Sequence, residues 1–311
     1  MSSSDPIPRG TRRVLVALLA IVVTCGAVSI IVNLTVGESN ETVRRTTVVD
    51  EAVDELGMDV DQANIMVSTS EDNRVSLTYT TWYSENEPQV RNEVTGTSLT
   101  IWSGGCDGCF VEFDLRVPEQ VSLDLRVGGG EVTVDGGAGG ATVTTGWGPI
   151  EVFDATGDIE AHSGSGEVMV RDVTAAVTAT AASGDVKVEE VTGDVDVTAP
   201  DGEVELIGIT GDLTVESGTG SVRGERLDSK NAHVTSDDDG VFLEFDTAPD
   251  DINVQAESGQ IDLAVPAIES PYLVDATAGE GTPDVRIATS PSSLHLITAT
   301  IGDGILTIRY R

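Results

Sequence analysis

The segment GDVKVEEVTGDVDVTAPDGEVELIGITGDLTV, residues 184–215, decides the fold because its pattern repeats every nine residues. Each repeat opens on a glycine, at Gly184, Gly193, Gly202 and Gly211. Apolar residues stand two and four positions after each glycine, with polar residues between them. Alternation of apolar and polar residues is the period of a β-strand, and glycine beside an acidic residue favours a turn. Each nonapeptide therefore predicts one short strand and one turn.

The same grid extends from Val121 to Pro266, with a break at Ala175 and a three-residue insertion at residues 229–231. Seven positions after the grid glycine, bulky residues such as Val191 alternate with small ones, so the repeating unit is eighteen residues. One unit would form a coil with two strands on opposite sides, and successive coils would stack in parallel. We predict an all-β fold, a single-stranded parallel β-solenoid of about eight 18-residue coils, about 38 Å long. Inward residues predicted near its two ends are Leu123, Leu125, Leu243, Phe245, Ile252, Val254, Ile261 and Leu263.

The composition is strongly acidic. The 311 residues include 53 acidic and 17 basic side chains, which gives a formal net charge of −36. A surface of this charge repels nucleic acid, so nucleic acid is not a predicted partner. Of the basic residues only Lys187 and Lys230 are lysines. A salt-adapted proteome would produce the same acidity, and the sequence does not separate that cause from others.

An apolar run follows an arginine-containing leader at the N-terminus. Val14 to Val32 contain no charged residue, and twelve of them are Val, Leu or Ile. Such a run favours insertion into a bilayer, and arginines before it place the N-terminus in the cytoplasm. We predict a cytoplasmic leader at 1–13 and a single transmembrane helix at 14–36, which leaves the C-terminal domain extracellular at the cell membrane. A cleaved signal peptide, or a lipoprotein processed at Cys25, is the alternative.

The segments that flank the repeat have a different pattern. Residues 37–60 are polar and acidic, which indicates a stalk that leads into a first strand at Arg44 to Val49. Residues 61–120 hold half of the aromatic side chains and several alternating apolar runs, and residues 267–311 hold four more such runs. The open end of a parallel stack needs cover, because an exposed end is a template for aggregation. We therefore predict antiparallel β caps on both ends of a solenoid at 121–266.

Four features together resemble one known family. They are the nonapeptide grid, the strand at 113–118 that ends in Val-Pro, the Gly-Asp-Val and Gly-Glu-Val turns, and the closing GDGILTI at 302–308. The chain resembles the bacterial putative-adhesin family DUF4097 over about residues 44–311. The resemblance implies a surface-exposed or membrane-anchored β-solenoid, associated in some members with the cell envelope or its stress responses. It implies no catalytic residues.

Two cysteines are the predicted site residues. Cys106 and Cys109 lie in Gly-Gly-Cys-Asp-Gly-Cys between two predicted strands. On the oxidising side of a membrane, a disulfide between them would close a very short loop and contribute about 2 kcal/mol. A redox-active pair would need a strand-to-helix setting, and a zinc site would need two further ligands. We predict the disulfide, and no catalytic, cofactor-binding or metal-ligating residue.

The histidines lack the spacing of a catalytic or metal site. His162, His233 and His295 are far apart in the sequence, and none has a ligand partner at short spacing. The sequence around Ser163 lacks the order and the strand-to-helix context of a serine nucleophile. We interpret all of these as surface or turn residues.

Four aromatic residues have two interpretations. They could form a platform for a sugar ring, or they could pack over the end of the solenoid, which needs apolar cover. We expect the second arrangement. The four residues are Trp82, Tyr83, Trp102 and Trp147.

Acidic residues follow the grid glycine in two rows, Glu167, Asp185 and Glu203 in one and Asp194 and Asp212 in the other. Stacked coils would place these like charges about 4.8 Å apart, a repulsion of about 0.9 kcal/mol per pair even in bulk water. Cations along the rows would relieve that repulsion. The calcium-binding nonapeptide Gly-Gly-x-Gly-x-Asp is absent, so we expect general screening by salt rather than specific calcium sites.

Taken together, these patterns predict a non-enzymatic, extracytoplasmic, adhesin-like or cell-envelope interaction module. Its partners would be the membrane, through its own helix, and an unknown envelope protein or polysaccharide, without a cofactor. A membrane-tethered envelope-stress sensor or accessory protein is the first alternative. A polysaccharide-active β-helix enzyme is the second, although it would need acidic and basic side chains that converge in a cleft.

Overall fold

The computed structural model describes residues 21–25, 28–36, 41–104, 108–137 and 139–311, with side chains from residue 42 onward in those ranges. All regular elements in these ranges are β-strands, and the 26 strands form one continuous sheet. The predicted all-β fold class is confirmed.

The strands fall into three groups along the chain. Before the repeat lie β1 (Ile21–Cys25), β2 (Val28–Val36), β3 (Glu41–Val49), β4 (Glu55–Ser70), β5 (Val75–Tyr83), β6 (Gln89–Thr95), β7 (Ser98–Gly104) and β8 (Phe110–Pro118). The repeat contains β9 (Ser122–Gly129), β10 (Val132–Asp135), β11 (Ala141–Thr145), β12 (Ile150–Phe153), β13 (Ile159–Ser163), β14 (Val168–Val173), β15 (Val177–Ala181), β16 (Val186–Thr192), β17 (Val195–Ala199), β18 (Val204–Thr210), β19 (Leu213–Ser217), β20 (Val222–Leu227), β21 (Asn231–Ser236), β22 (Gly240–Phe245) and β23 (Asp251–Val265). After it lie β24 (Leu273–Glu280), β25 (Asp284–Arg286) and β26 (Leu296–Tyr310).

The repeat forms a parallel solenoid in the predicted register. Val186 pairs with Val168 on one side and with Val204 on the other, so neighbouring coils are eighteen residues apart. The odd strands β9 to β21 form one column and the even strands β10 to β22 form a second, while β23 runs through both. Residues 121–266 therefore contain eight coils, as the nine-residue grid predicts.

The core lies between the two columns and is made of the alternate apolar residues. Val186, Val188, Val195 and Val197 are each at most 2% exposed. Full burial of such a side chain contributes about 1.5 to 3 kcal/mol. The inward residues predicted for the ends of the repeat, from Leu123 to Leu263, are buried as well.

The grid glycines are needed for close packing of the coils as well as for the turns. A Cβ atom built on Gly166 would lie 2.3 Å from the carbonyl oxygen of Gly148 in the coil below. Its φ of +157° is also one that residues with a side chain rarely adopt. Any larger residue would push the two coils apart and break the hydrogen bonds between them.

The predicted three-residue insertion at 229–231 is wrong in its placement. Leu213 pairs with Ala232, nineteen residues on, and Ala232 pairs with Ile252, twenty residues on. One extra residue therefore lies in the turn before β21, and two lie in the turn before β23. Both turns join the second column to the first, so the extra residues enlarge one corner. The register between β20 and β22 shifts between Gly224 and Leu227.

The C-terminal end is closed by parallel strands, so the predicted antiparallel cap at 267–311 is wrong there. Strand β26 pairs in parallel with β23 on one side and with β24 and β25 on the other. The last strand in the sequence therefore lies inside the stack, and the strands that precede it form the end. The sequence signal failed because this pairing joins residues 45 apart, outside the eighteen-residue period.

The N-terminal end combines both kinds of pairing, and the antiparallel prediction for 61–120 is correct only in part. Strand β4 pairs in parallel with β9 and β10 on one side and with β7 and β8 on the other. Strands β6 with β7, β5 with β8 and β3 with β5 pair antiparallel. The β7–β8 end, the β4 coil, the β26 coil and the β24–β25 end extend the eight repeat coils to twelve parallel layers.

The predicted transmembrane segment at 14–36 falls partly outside the described residues, at 14–20 and 26–27. Its described parts are the extended strands β1 and β2, which pair antiparallel with each other, and β2 pairs with β3. In the ranges that the structure describes, no helix has the length and apolar character to cross a bilayer. The transmembrane helix stays a prediction.

Candidate functional site

The first column of strands presents a flat outward surface that is rich in threonine. We call it the threonine face, and it consists of the outward residues of β11, β13, β15, β17, β19, β21 and the first half of β23. These residues are Thr142, Thr144, Glu160, His162, Thr178, Thr180, Asp196, Thr198, Thr214, Glu216, His233, Thr235, Asn253 and Gln255. Seven of these fourteen are threonine, and none is lysine or arginine. Threonine is β-branched and has few side-chain conformations, so a partner that contacts it fixes little side-chain entropy.

The second column presents an outward surface of a different kind, the charged face, where opposite charges pair with one another. The Lys187 ammonium lies 2.9 Å from Glu205 and 3.1 Å from Glu189, and these carboxylates raise the pKa of Lys187. Two arginines lie over aromatic rings, Arg171 over Phe153 at 4.8 Å and Arg223 over Phe242 at 5.3 Å. The residues of this face are Glu151, Phe153, Met169, Arg171, Lys187, Glu189, Glu205, Ile207, Arg223, Glu225, Phe242 and Glu244.

A groove continues the threonine face at its N-terminal end. Arg91, Trp102, Asp59, Arg126 and Thr144 stand side by side in register on neighbouring strands β6, β7, β4, β9 and β11. Trp102 is 39% exposed and lines two open depressions of about 840 and 580 Å³. We call the two depressions together the tryptophan groove.

The floor of this groove is low because the neighbouring row contains a glycine. Gly57 stands in register between Thr100 and Asp124, and it has no side chain to fill the space. One oxygen of the Asp124 carboxylate lies 2.8 Å from the Arg126 guanidinium. The other, Oδ1, is shielded from solvent and has no hydrogen-bond partner among the described residues. The groove therefore combines an aromatic surface with carboxylate and guanidinium groups.

The structure does not bring the four predicted aromatic residues together over the end of the solenoid. Trp147 lies in the turn between β11 and β12, on the side of the stack, and is 53% exposed. Trp82 contacts Phe110, with ring centroids 6.1 Å apart, as a packing role requires. Trp102 has its exposed side toward the groove. The predicted packing role is thus wrong for Trp147.

The acidic rows are organised by hydrogen bonds from one coil to the next. Asp185 accepts a hydrogen bond from the backbone N–H of Glu203 at 2.8 Å, and Asp194 accepts one from the N–H of Asp212 at 2.9 Å. In each pair the donor lies eighteen residues after the acceptor. Each aspartate therefore satisfies a turn amide of the next coil, which offsets the predicted repulsion. Sequence reasoning considered only the charges and missed this role.

A second regular row, which the sequence analysis missed, lies at a corner near the end of each of five even strands, β12 to β20. Five consecutive coils place Asp154, Asp172, Glu190, Gly208 and Arg226 there with φ between +52° and +68°. Their spacing is eighteen residues. Left-handed backbone costs about 1 to 2 kcal/mol for a residue with a side chain, so the stack must impose it. Aspartate and glycine at this position are a signal that could have revealed the corner.

The remaining candidate residues do not form a common site. His162 contacts Glu160 at 2.9 Å on β13, His233 lies on β21, and His295 contacts the carbonyl oxygen of Pro249 at 2.7 Å. Ser163 is buried and donates its hydroxyl to the carbonyl oxygen of Gly148 at 3.1 Å, which is a structural role. Among the side chains that the structure describes, no group of His, Cys, Asp or Glu is placed to hold a metal ion.

The predicted disulfide cannot be placed, because Cys106 lies outside the described residues. Cys109 stands two residues after the gap at 105–107 and directly before β8. The pairing of the two cysteines stays a prediction.

These observations define the class of the protein, a twelve-layered parallel β-solenoid with two contrasting faces. The sequence then assigns the family. Residues 53–309 match the Toastrack DUF4097 family, and the chain belongs to it. The predicted family is confirmed.

Crystal structures of bacterial proteins align over most of the chain at low identity. A "putative cell adhesion protein" from Clostridium sporogenes ATCC 15579 is 11% identical, with a TM-score of 0.21 over 86% of this chain and 99% of that one. A "putative adhesin" from Bacteroides fragilis NCTC 9343 is 13% identical, with a TM-score of 0.36 over 86% and 97%. A "putative lipid binding protein" from Parabacteroides distasonis ATCC 8503 is 13% identical, with a TM-score of 0.35 over 86% and 96%. No curated protein matches the chain.

Proposed function

We propose that this protein is a membrane-anchored, extracytoplasmic interaction module, without catalytic activity, that adheres to envelope material through its threonine face. The observation that carries the proposal is the composition of that face. In a chain of net charge −36, fourteen aligned outward residues include seven threonines and three acids. A flat array of short, conformationally restricted hydroxyl groups is suited to broad contact with a partner surface.

The coil interior supports a role in binding rather than in catalysis. Acid–base catalysis needs titratable side chains that converge on one point. In the repeat, the inward positions are occupied mainly by apolar residues such as Val186 and Val197. The inward hydroxyl groups of Thr145 and Ser163 form a hydrogen bond with each other and both donate to the carbonyl oxygen of Gly148. The charged groups are distributed along two flat faces and the turns.

Anchoring follows from the apolar run at 14–32 and the arginines before it. In this arrangement the leader at 1–13 stays in the cytoplasm and the solenoid lies outside the cell membrane. Protease added to intact cells should cleave the solenoid and leave the leader protected. A solenoid that is cleaved only after cell lysis would overturn this orientation.

The adhesion is tested with two variants that add the same charge to opposite faces. The full-length protein is immobilised, and the amount of envelope fragment bound from the producing cells is measured. The double variant Thr178→Glu, Thr180→Glu should lose more than half of the binding, because it places two charges in the centre of the threonine face. The control, Thr133→Glu with Met169→Glu on the second column, should bind as the wild type. Equal loss in both variants would refute the role of the threonine face.

A further inference from the structure

The tryptophan groove has a chemistry that the adjoining threonine face lacks. The threonine face presents hydroxyl, carboxylate, amide and imidazole groups, whereas the groove adds an exposed indole and two guanidinium groups, from Trp102, Arg91 and Arg126. Its two depressions, of about 840 and 580 Å³, lie within the usual range for small-ligand sites. Trp102 lines both of them.

The charges of the groove select against an anionic ligand. Glu55, Asp59, Glu93 and Asp124 line it together with two arginines, so acids outnumber bases. One arginine already contacts Asp124, and Arg91 donates to Gln89 at 2.7 Å. An entirely apolar ligand would remove these charged groups from water without replacing their hydrogen bonds, which is costly. The ligand that fits is neutral and carries both an apolar surface and hydroxyl groups.

We propose that the tryptophan groove binds a neutral saccharide chain, with one pyranose ring stacked on Trp102 and its hydroxyl groups bonded to Asp59, Asp124 and Arg126. A pyranose has an apolar face of C–H groups that packs against an indole ring, and a rim of hydroxyl groups. Carboxylates accept hydrogen bonds from hydroxyl groups, and a guanidinium donates to their oxygens.

The row of residues that forms the groove continues into the threonine face. The row from Arg91 through Trp102, Asp59 and Arg126 ends at Thr144, the first residue of the threonine face in that row. A saccharide chain that begins on Trp102 and follows this row toward the threonine face reaches Thr144, His162 and Thr180. This inference rests on the proposed function and names the ligand class of the same surface.

The test uses the full chain in a detergent without a sugar headgroup and three neutral probes, cellohexaose, chitohexaose and maltohexaose. Binding is measured by titration calorimetry. At least one probe should bind, Trp102→Ala should weaken that binding by about tenfold or more, and Trp102→Phe should weaken it less. Asp59→Ala, at an exposed position, provides a second variant if Trp102→Ala fails to fold, and it should also weaken binding. Trp147→Ala is the control, because Trp147 is exposed but lines neither depression.

Two results would overturn the inference. One is the failure of all three hexasaccharides to bind, and the other is unchanged affinity in Trp102→Ala and Asp59→Ala. If envelope fragments still bind the threonine face in either case, the proposed adhesion stands and only the assignment of the saccharide site is wrong. If the fragments also fail to bind, both proposals are wrong.

Discussion

Arg226 forms an ion pair with Glu190, two coils away in the stack, across the glycine that occupies the same corner of the coil between them. The two side chains approach to 2.5 Å, and the pair raises the pKa of Arg226. A Cβ atom on Gly208 would lie 2.8 Å from a carboxylate oxygen of Glu190. The absence of a side chain at Gly208 therefore lets the pair form over three layers of the solenoid.

We expect Gly208→Ala to lower the free energy of unfolding by about 1 to 2 kcal/mol, because φ at this residue is +68° and the new methyl group contacts Glu190. Urea unfolding measures the change. In a Glu190→Ala background the same substitution should cost less, since only the backbone term remains. An equal cost in both backgrounds would mean that the Glu190 contact has no effect.

The strand register is tested at two adjacent residues. Val186→Asp buries a carboxylate between the columns and should cost about 4 kcal/mol or more, so that several coils unfold together. Lys187→Thr removes an exposed ion pair and should change stability little. Thermal unfolding by circular dichroism distinguishes the two. Threonine is the suitable control residue, because an aspartate at 187 would face Glu189 and Glu205.

The turn aspartates should act through their oxygen atoms more than through their charge. Asp185→Ala removes the acceptor for the N–H of Glu203 and should lower stability by about 1 kcal/mol. Asp185→Asn keeps an acceptor oxygen and removes one negative charge, so we expect little or no loss. Denaturant unfolding of the two variants at one salt concentration gives the comparison. A larger loss for asparagine than for alanine would contradict the hydrogen-bond role.

The net charge predicts a smooth response to salt. The melting temperature should rise gradually with NaCl, since the Debye length falls from about 10 Å at 0.1 M to about 3 Å at 1 M. At constant ionic strength, calcium should produce no saturable increase. A saturable calcium effect that disappears in the double variant Asp185→Asn, Glu203→Gln would identify specific sites along the rows and refute general screening.

We expect the free energy of unfolding to fall at alkaline pH, because the buried Tyr272 hydroxyl then ionises. Its ring is buried, its hydroxyl donates to the carbonyl oxygen of Pro266 at 2.8 Å, and burial raises its pKa from 10.0 to about 12. The folded state thus keeps a proton that the unfolded state releases, and this contribution is complete below pH 10 and is lost as pH rises toward 12. The stability advantage of the wild type over Tyr272→Phe should shrink across that window. A constant difference between pH 8 and pH 11 would contradict it.

The nine-residue period of the sequence predicts the features that repeat from one coil to the next. Val186 and its equivalents are spaced at nine and eighteen residues, so their burial, the parallel register and the count of eight coils follow from the pattern. The corner residues Asp154 and Glu190 repeat at the same spacing, but their left-handed backbone depends on how the coils stack. Glycines such as Gly166 looked like turn residues because a sequence does not show how closely the next coil approaches.

The sequence does not predict the ends of the stack or the groove, because their contacts join segments that are not separated by the repeat length. Leu296 pairs with Asp251 and with Leu273, and these pairings join segments of unequal spacing. Likewise, Trp102 and Asp59 come from strands 43 residues apart that lie in register only after β4 enters the stack. The sequence identified the tryptophan as a candidate but not the residues beside it.

The position of β26 between β23 and the strands β24 and β25 has a consequence for biosynthesis. A growing chain produces residues 273–286 before residues 296–310, yet the earlier segment has no strand to pair with until the later one is in place. The repeat coils can each add to the previous one as they emerge, whereas the last two layers must wait and then assemble together. Synthesis from the N-terminus therefore allows each coil up to β23 to pair with the one before it, whereas β24 and β25 gain their partner only when β26 has been made.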